Sequence, residues 1–134
     1  MPIVHQAVSS YRCTFEVWDG DIDEDEVRAH LLRLAEDPDW PPGALNLVDL
    51  STVGNISVPD PELVALLREG TILETELKTA LVAPDLINPD TPAYRESADA
   101  TGVSTFRDVQ SACAHLGLPL GASLGLMKQL RQSL

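Results

Sequence analysis

Apolar residues recur along the chain with two periods, and the changes of period divide it into strands and helices. From Tyr11 to Trp18, Tyr11, Cys13, Phe15 and Val17 alternate with Arg12, Thr14 and Glu16, which predicts a strand with its apolar side chains on one face. Val27, Leu31, Leu32, Leu34 and Ala35 follow at helical spacing behind the acids of Asp21 to Glu26, which suit the positive end of a helix dipole. They predict a helix from about Asp23 to Glu36. The segment Asp37 to Gly43 ends it, because prolines 38, 41 and 42 cannot continue the hydrogen-bond ladder. Ala44, Leu45, Leu47 and Val48 then form a nearly continuous apolar run, the mark of a strand covered on both faces. Asp49, Ser51, Thr52 and Asn55 come next and read as an acidic, hydroxyl-bearing turn at its C-terminal end. In an α/β domain such a strand end is where ligands and partners bind, which makes Gly43 to Asn55 the candidate functional stretch.

The remaining pattern continues the alternation of elements. Ser57 to Pro61 supplies a helix start with proline near the first turn, Leu63, Val64, Leu66 and Leu67 give that helix its apolar side, and Gly70 interrupts it. Leu77 to Ala83 reads as a third buried strand, ended by Pro84 and Asp85. Asn88 to Pro92 opens a short helix through Tyr94, Ala98 and Ala100, and Gly102 resets the chain for a strand from Val103 to Phe106. Asp108 starts a helix carrying Val109, Ala112, Cys113 and Leu116. In the tail from Leu118 to Leu134, Leu124, Met127, Leu130 or Arg131, and Leu134 share a helical stripe, which fits a packed terminal helix or a dimer contact. Alternating strands and helices predict an α/β layer structure with a largely parallel sheet, to which a partner of the first strand would add an antiparallel edge.

Composition narrows the function classes. A chain of 134 residues, 44% hydrophobic, is expected to form one domain over residues 1–134 with a core that needs neither disulfide nor metal, and with aromatics at 4% that core is mainly Leu, Val and Ala. The net charge of -12 opposes binding to nucleic acid or anionic membranes, which requires concentrated Lys and Arg. The first residues lack the basic region and apolar run of a secretory signal, and no apolar segment approaches the roughly 20 residues of a membrane span, so a cytoplasmic location is expected. Cys13 and Cys113, far apart and without Cys-x-x-Cys spacing, read as two reduced, buried thiols.

Motifs for catalysis, metals or cofactors do not assemble. Carboxylates recur from Asp19 to Glu26, but a calcium loop begun at Asp19 needs Gly where Glu24 stands and Glu where His30 stands. The residues support a solvated turn and an acidic helix start instead. His5, His30 and His115 have no partner at zinc-ligand spacing and are expected at the surface or in helix packing. Cys113 and His115, two apart on one helix, face different directions. Phosphate-loop patterns are missing from the sequence, and no catalytic residue, metal or cofactor is expected. Trp18 and Trp40 flank the first helix and read as core-edge packing. For Asp49 two readings stand: a hydrogen bond to the following turn, or contact with a ligand or partner; Ser51, Thr52, Asn55 and Ser57 share that choice.

Two strings carry a family resemblance. Leu45 to Ser51, LNLVDLS, resembles the central strand of STAS domains, the family of the bacterial anti-sigma-factor antagonists. Phe106 to Gly117, FRDVQSACAHLG, is similar to the closing segment of the SpoIIAA-like branch related to STAS and Sec14 domains. The likeness covers about residues 9–118, with 119–134 as a helical extension. It implies a single SpoIIAA-like domain with a mixed, largely parallel sheet and packed helices, acting without catalysis as a regulatory module that binds a protein partner or itself, as a homodimer for instance. A Sec14-like carrier of a small apolar ligand is the alternative it implies. In the antagonists the strand leads to a phosphorylated serine. Aligned on Leu45 to Ser51, this chain has Asn55 there, between Gly54 and Ile56, so a phosphorylation switch would have to use Ser51, Thr52 or Ser57.

Overall fold

The nearly continuous apolar run of Leu45 to Val48 lies at the centre of a five-stranded sheet, where strands are covered on both faces. The computed structural model describes residues 2–40, 45–56, 78–83 and 103–134. The strands are β1 (Ile3–Val8), β2 (Cys13–Ile22), β3 (Leu45–Ile56), β4 (Lys78–Val82) and β5 (Val103–Phe106), in the order β1-β2-β3-β4-β5. β1 runs antiparallel to β2, and all other pairings are parallel, so the sheet is largely parallel with an antiparallel edge. The described helices are α1 (Glu24–Glu36), α2 (Val109–Leu116) and α3 (Leu120–Gln132). The helices expected from Ser57 and from Asn88 lie outside the described residues.

Local chemistry accounts for the helix ends. Asp23 Oδ1 accepts from the Glu26 amide at 2.8 Å and Asp108 Oδ1 from the Ser111 amide at 2.7 Å, so each aspartate satisfies an amide that its helix leaves open. Gly117 closes α2 in the left-handed region at φ 73°, which costs glycine nothing.

One face of the sheet packs on α2 and α3. Cys13, Phe15 and Val17 of β2, Leu47 of β3, and Ala80 and Val82 of β4 meet Ala112, Cys113 and Leu116 of α2 and Met127 and Leu130 of α3. The tail therefore docks, as its stripe predicts, but with Ser123, Met127 and Leu130 inward, while Leu124 and Leu134 are exposed. α1 buries Val27, His30 and Leu34 rather than the wider set from Leu31 to Ala35: Leu32 is 66% exposed, because it lies on the opposite side of a 3.6-residue turn from Leu34.

Two expectations are corrected. The acidic stretch Asp19 to Ile22 is the end of β2 rather than a turn, paired with Thr52 to Ile56 of β3. The run Asp49 to Asn55 is likewise strand, not turn. Both errors have one source. Between Val17–Asp49 and Asp19–Thr52 one β2 residue faces two on β3, and between Gly20–Val53 and Asp21–Asn55 the extra residue is Gly54. Bulges use the same Asp, Ser, Gly and Asn residues as turns, because both must satisfy amides that drop out of a ladder.

Candidate functional site

Asp49, Ser51 and Thr52 of the predicted residues gather around the first bulge of β3, and the C-terminal helix completes the cluster. Asp49 is buried on the α3 side of the sheet. Its Oδ1 accepts from the Ser51 amide at 2.9 Å, and its Oδ2 accepts from Arg131 Nη2 at 2.6 Å. Thr52 Oγ1 accepts from Arg131 Nη1 at 2.7 Å and donates to the Trp18 carbonyl, the residue opposite the bulge, at 3.2 Å. Both carboxylate oxygens of Asp49 and the Thr52 hydroxyl are thus occupied from within the chain. The hydrogen bond from the Ser51 amide is the local bond that one reading of Asp49 expects, made across a bulge instead of a turn.

Ser51 joins the cluster through its backbone, and its side chain is exposed. Asn55 is exposed and in register with Asp21, one bulge further along β3, away from Arg131's bonds to Asp49 and Thr52. Ser57 lies outside the described residues. Arg131, in the last turn of a helix that has no acid of its own, is the partner of Asp49 that the sequence pattern does not point to.

A second polar constellation sits on the opposite face, beneath α1. The strand pattern separates Thr14 and Glu16 from the apolar positions of β2, but both are buried, as is Trp18. His30 Nε2, on α1, donates to Glu16 Oε1, which also accepts from Trp18 Nε1 at 3.2 Å, and the Asn46 side chain adds a further hydrogen bond. Burial alone would raise the Glu16 carboxyl, yet attraction to His30 and the hydrogen bonds from His30, Trp18 and Asn46 outweigh it and hold Glu16 below the usual carboxylate range. His5 of β1 stacks edge-on to His30, with centroids 5.7 Å apart, and binds Asp37 Oδ2 at 2.8 Å. The Asp39 amide and His5 lower Asp37 as well. His30 is therefore a core residue, the helix-packing role expected of the histidines; its partner Glu16 carries no signal in the alternating strand pattern, because only the packing of α1 buries that face.

Cys13 and Cys113 are free and buried. Desolvation pushes the Cys13 thiol up to about 12 and raises Cys113. His115 is exposed and stacks on Phe106, turned away from Cys113. Among the described residues no three His, Cys, Asp or Glu side chains converge as metal ligands, and no helix is long and apolar enough to cross a membrane.

With this geometry in place, the likeness to solved structures is specific. The chain superposes on the anti-sigma factor antagonist SpoIIAA in its unphosphorylated form with a TM-score of 0.54 and 13% identity, over 85% of this chain and 96% of that one. It also matches a DUF3478-family protein with a SpoIIAA-like fold from Shewanella loihica, with a TM-score of 0.51 and 18% identity, over 85% of this chain and 91% of that one. The fold is SpoIIAA-like. No protein-family model matches the sequence, and no curated protein matches it. The resemblance carried by Leu45 to Ser51 and Phe106 to Gly117 thus holds at the level of the fold: the first string is the central strand β3, the second leads from β5 into α2.

Proposed function

We propose that this chain is a non-catalytic, cytoplasmic protein-interaction domain whose partner is another protein or a second copy of itself, working without the serine phosphorylation of the antagonist proteins. One observation carries the reading: Asp49, the acid beside the first bulge of β3 where its pairing with β4 ends, has both oxygens engaged by Arg131 and the Ser51 amide. A general acid or base has to reach its substrate's proton, and a carboxylate clamped on both sides does not. Asn55 adds support, since it has no hydroxyl to phosphorylate and stands within β3. The SpoIIAA-like fold is compatible with this role.

The test is capture on the immobilised protein from its own cell lysate at native concentration, with native and intact mass spectra of the protein taken from the same cells. The reading expects a stoichiometric protein partner or a mass above the monomer, and no phosphate. A monomeric mass with nothing retained overturns the interaction role, and phosphate on Ser51, Thr52 or Ser57 overturns the absence of a switch. A small apolar molecule retained in the native spectrum would support the carrier reading instead.

A further inference from the structure

We infer that the outward face of α3 docks the outward face of α1 from a second copy of this chain, in a head-to-tail contact. This deepens the interaction reading by naming the partner, and rests on it. On α3, Leu120 and Leu124 are 36% and 47% exposed, and Lys128 continues the same stripe one turn on. Gly121 and Gly125 lie beside them, and a Cβ at either would meet nothing within 4 Å. Glycine inside a helix destabilises it relative to alanine, and neither glycine fills a tight place in its own molecule; their effect is to let another helix approach closely.

Charge selects the occupant. None of the chain's 21 Asp and Glu residues falls in residues 118–134, which carry Lys128 and Arg131, so α3 is a basic-apolar element on a chain of net charge -12. Arg131 is bound to Asp49, leaving Lys128 as the outward cation of the stripe. The complement is an acidic helix with a protruding leucine and a small residue beside it. α1 has that face: Leu32, 66% exposed, with Ala29 next to it and Asp25 and Glu36 at its two ends. Its Arg28 is held by Glu24 at 2.9 Å. Leu32 seated over Gly121 and Gly125 brings Lys128 to an acidic end of the partner helix.

The two faces lie on opposite sides of the sheet, since α3 packs on Phe15 and Val17 whereas His30 of α1 meets Glu16. The contact is therefore heterologous, and each added copy presents a fresh face. A single helix pair buries less than the roughly 1,200 Å² of a stable interface, so association is weak and grows with concentration.

Sedimentation equilibrium tests this with Leu124→Glu, which spoils the α3 face, and Leu32→Glu, which spoils the α1 face; both positions are exposed, and thermal melts confirm folding. The native chain is expected to rise continuously in average mass with concentration, each variant to remain monomeric, and their equimolar mixture to form a 1:1 dimer that grows no further. A native mass that stays monomeric or stops at the dimer, or a mixture that stays monomeric, overturns the proposal. Capture of a different protein by such a monomer would leave the interaction reading standing without it.

Discussion

Arg131, in the last turn of the C-terminal helix, donates to Asp49 across 82 positions of sequence, at 2.6 Å. The carboxylate is 4% exposed and the guanidinium side chain 35%, so removing the arginine leaves an almost buried charge without its cation. Loss of one partner of a fully buried pair costs about 3–5 kcal/mol; allowing for solvent around Arg131, Arg131→Met is expected to cost about 2–3 kcal/mol in urea unfolding. Asp49→Asn, which keeps an acceptor for Ser51, should cost about 1 kcal/mol.

The Glu16–His30 pair beneath α1 makes the protein sensitive to acid. Because the folded protein holds Glu16 below its unfolded value of 4.5, its contribution to stability is complete above that value and is lost as pH falls through the lower folded one. Glu16→Gln should cost about 3 kcal/mol at neutral pH, and the gap to the native protein should close in urea titrations below about pH 4.5. An apolar pair, Glu16→Met with His30→Leu, should recover most of the loss, since it leaves no uncompensated charge.

Two glycines of the β2–β3 ribbon should differ in their tolerance of a side chain. Gly20 has φ 75°, where a side chain is strained, so Gly20→Ala should destabilise by about 1–2 kcal/mol. A Cβ at Gly54 would lie 3.1 Å from Asp21 Oδ1, but Asp21 is exposed and can rotate away. Gly54→Ala should therefore fall within about 0.5 kcal/mol of the native protein by thermal melting, because it also removes freedom from the unfolded chain.

Neither cysteine should react in the folded state. With Cys13 pushed up to about 12 and both thiols buried, thiolate is scarce and out of reach. A chromogenic disulfide reagent should titrate no thiol rapidly in native buffer and both in denaturant.

Much of the fold was legible because its determinants are local. Asp23 and Asp108 announce helix starts through bonds three residues away, and Val103 to Phe106 is bracketed by Gly102 and Asp108. An antiparallel edge beside the first strand was legible, but not that Ile3 to Val8 forms it, because β1 gains its register only from β2, with Ile3 opposite Trp18. The far half of β3 escaped because bulge and turn draw on the same residues. At the candidate site Asp49, Ser51 and Thr52 could be singled out from sequence, whereas Arg131 could not, since nothing near residue 131 refers to residue 49. Glu16 and His30 each looked ordinary alone; only sheet burial on both faces makes one require the other.

Asp49 is bound to α3 rather than left open to a ligand, and a double-mutant cycle over Asp49→Ala and Arg131→Ala measures that bond directly. Unfolding free energies of the four proteins should give a coupling of about 1.5 kcal/mol or more. Additivity to within about 0.5 kcal/mol would contradict it, and would leave Asp49 free to act on something else.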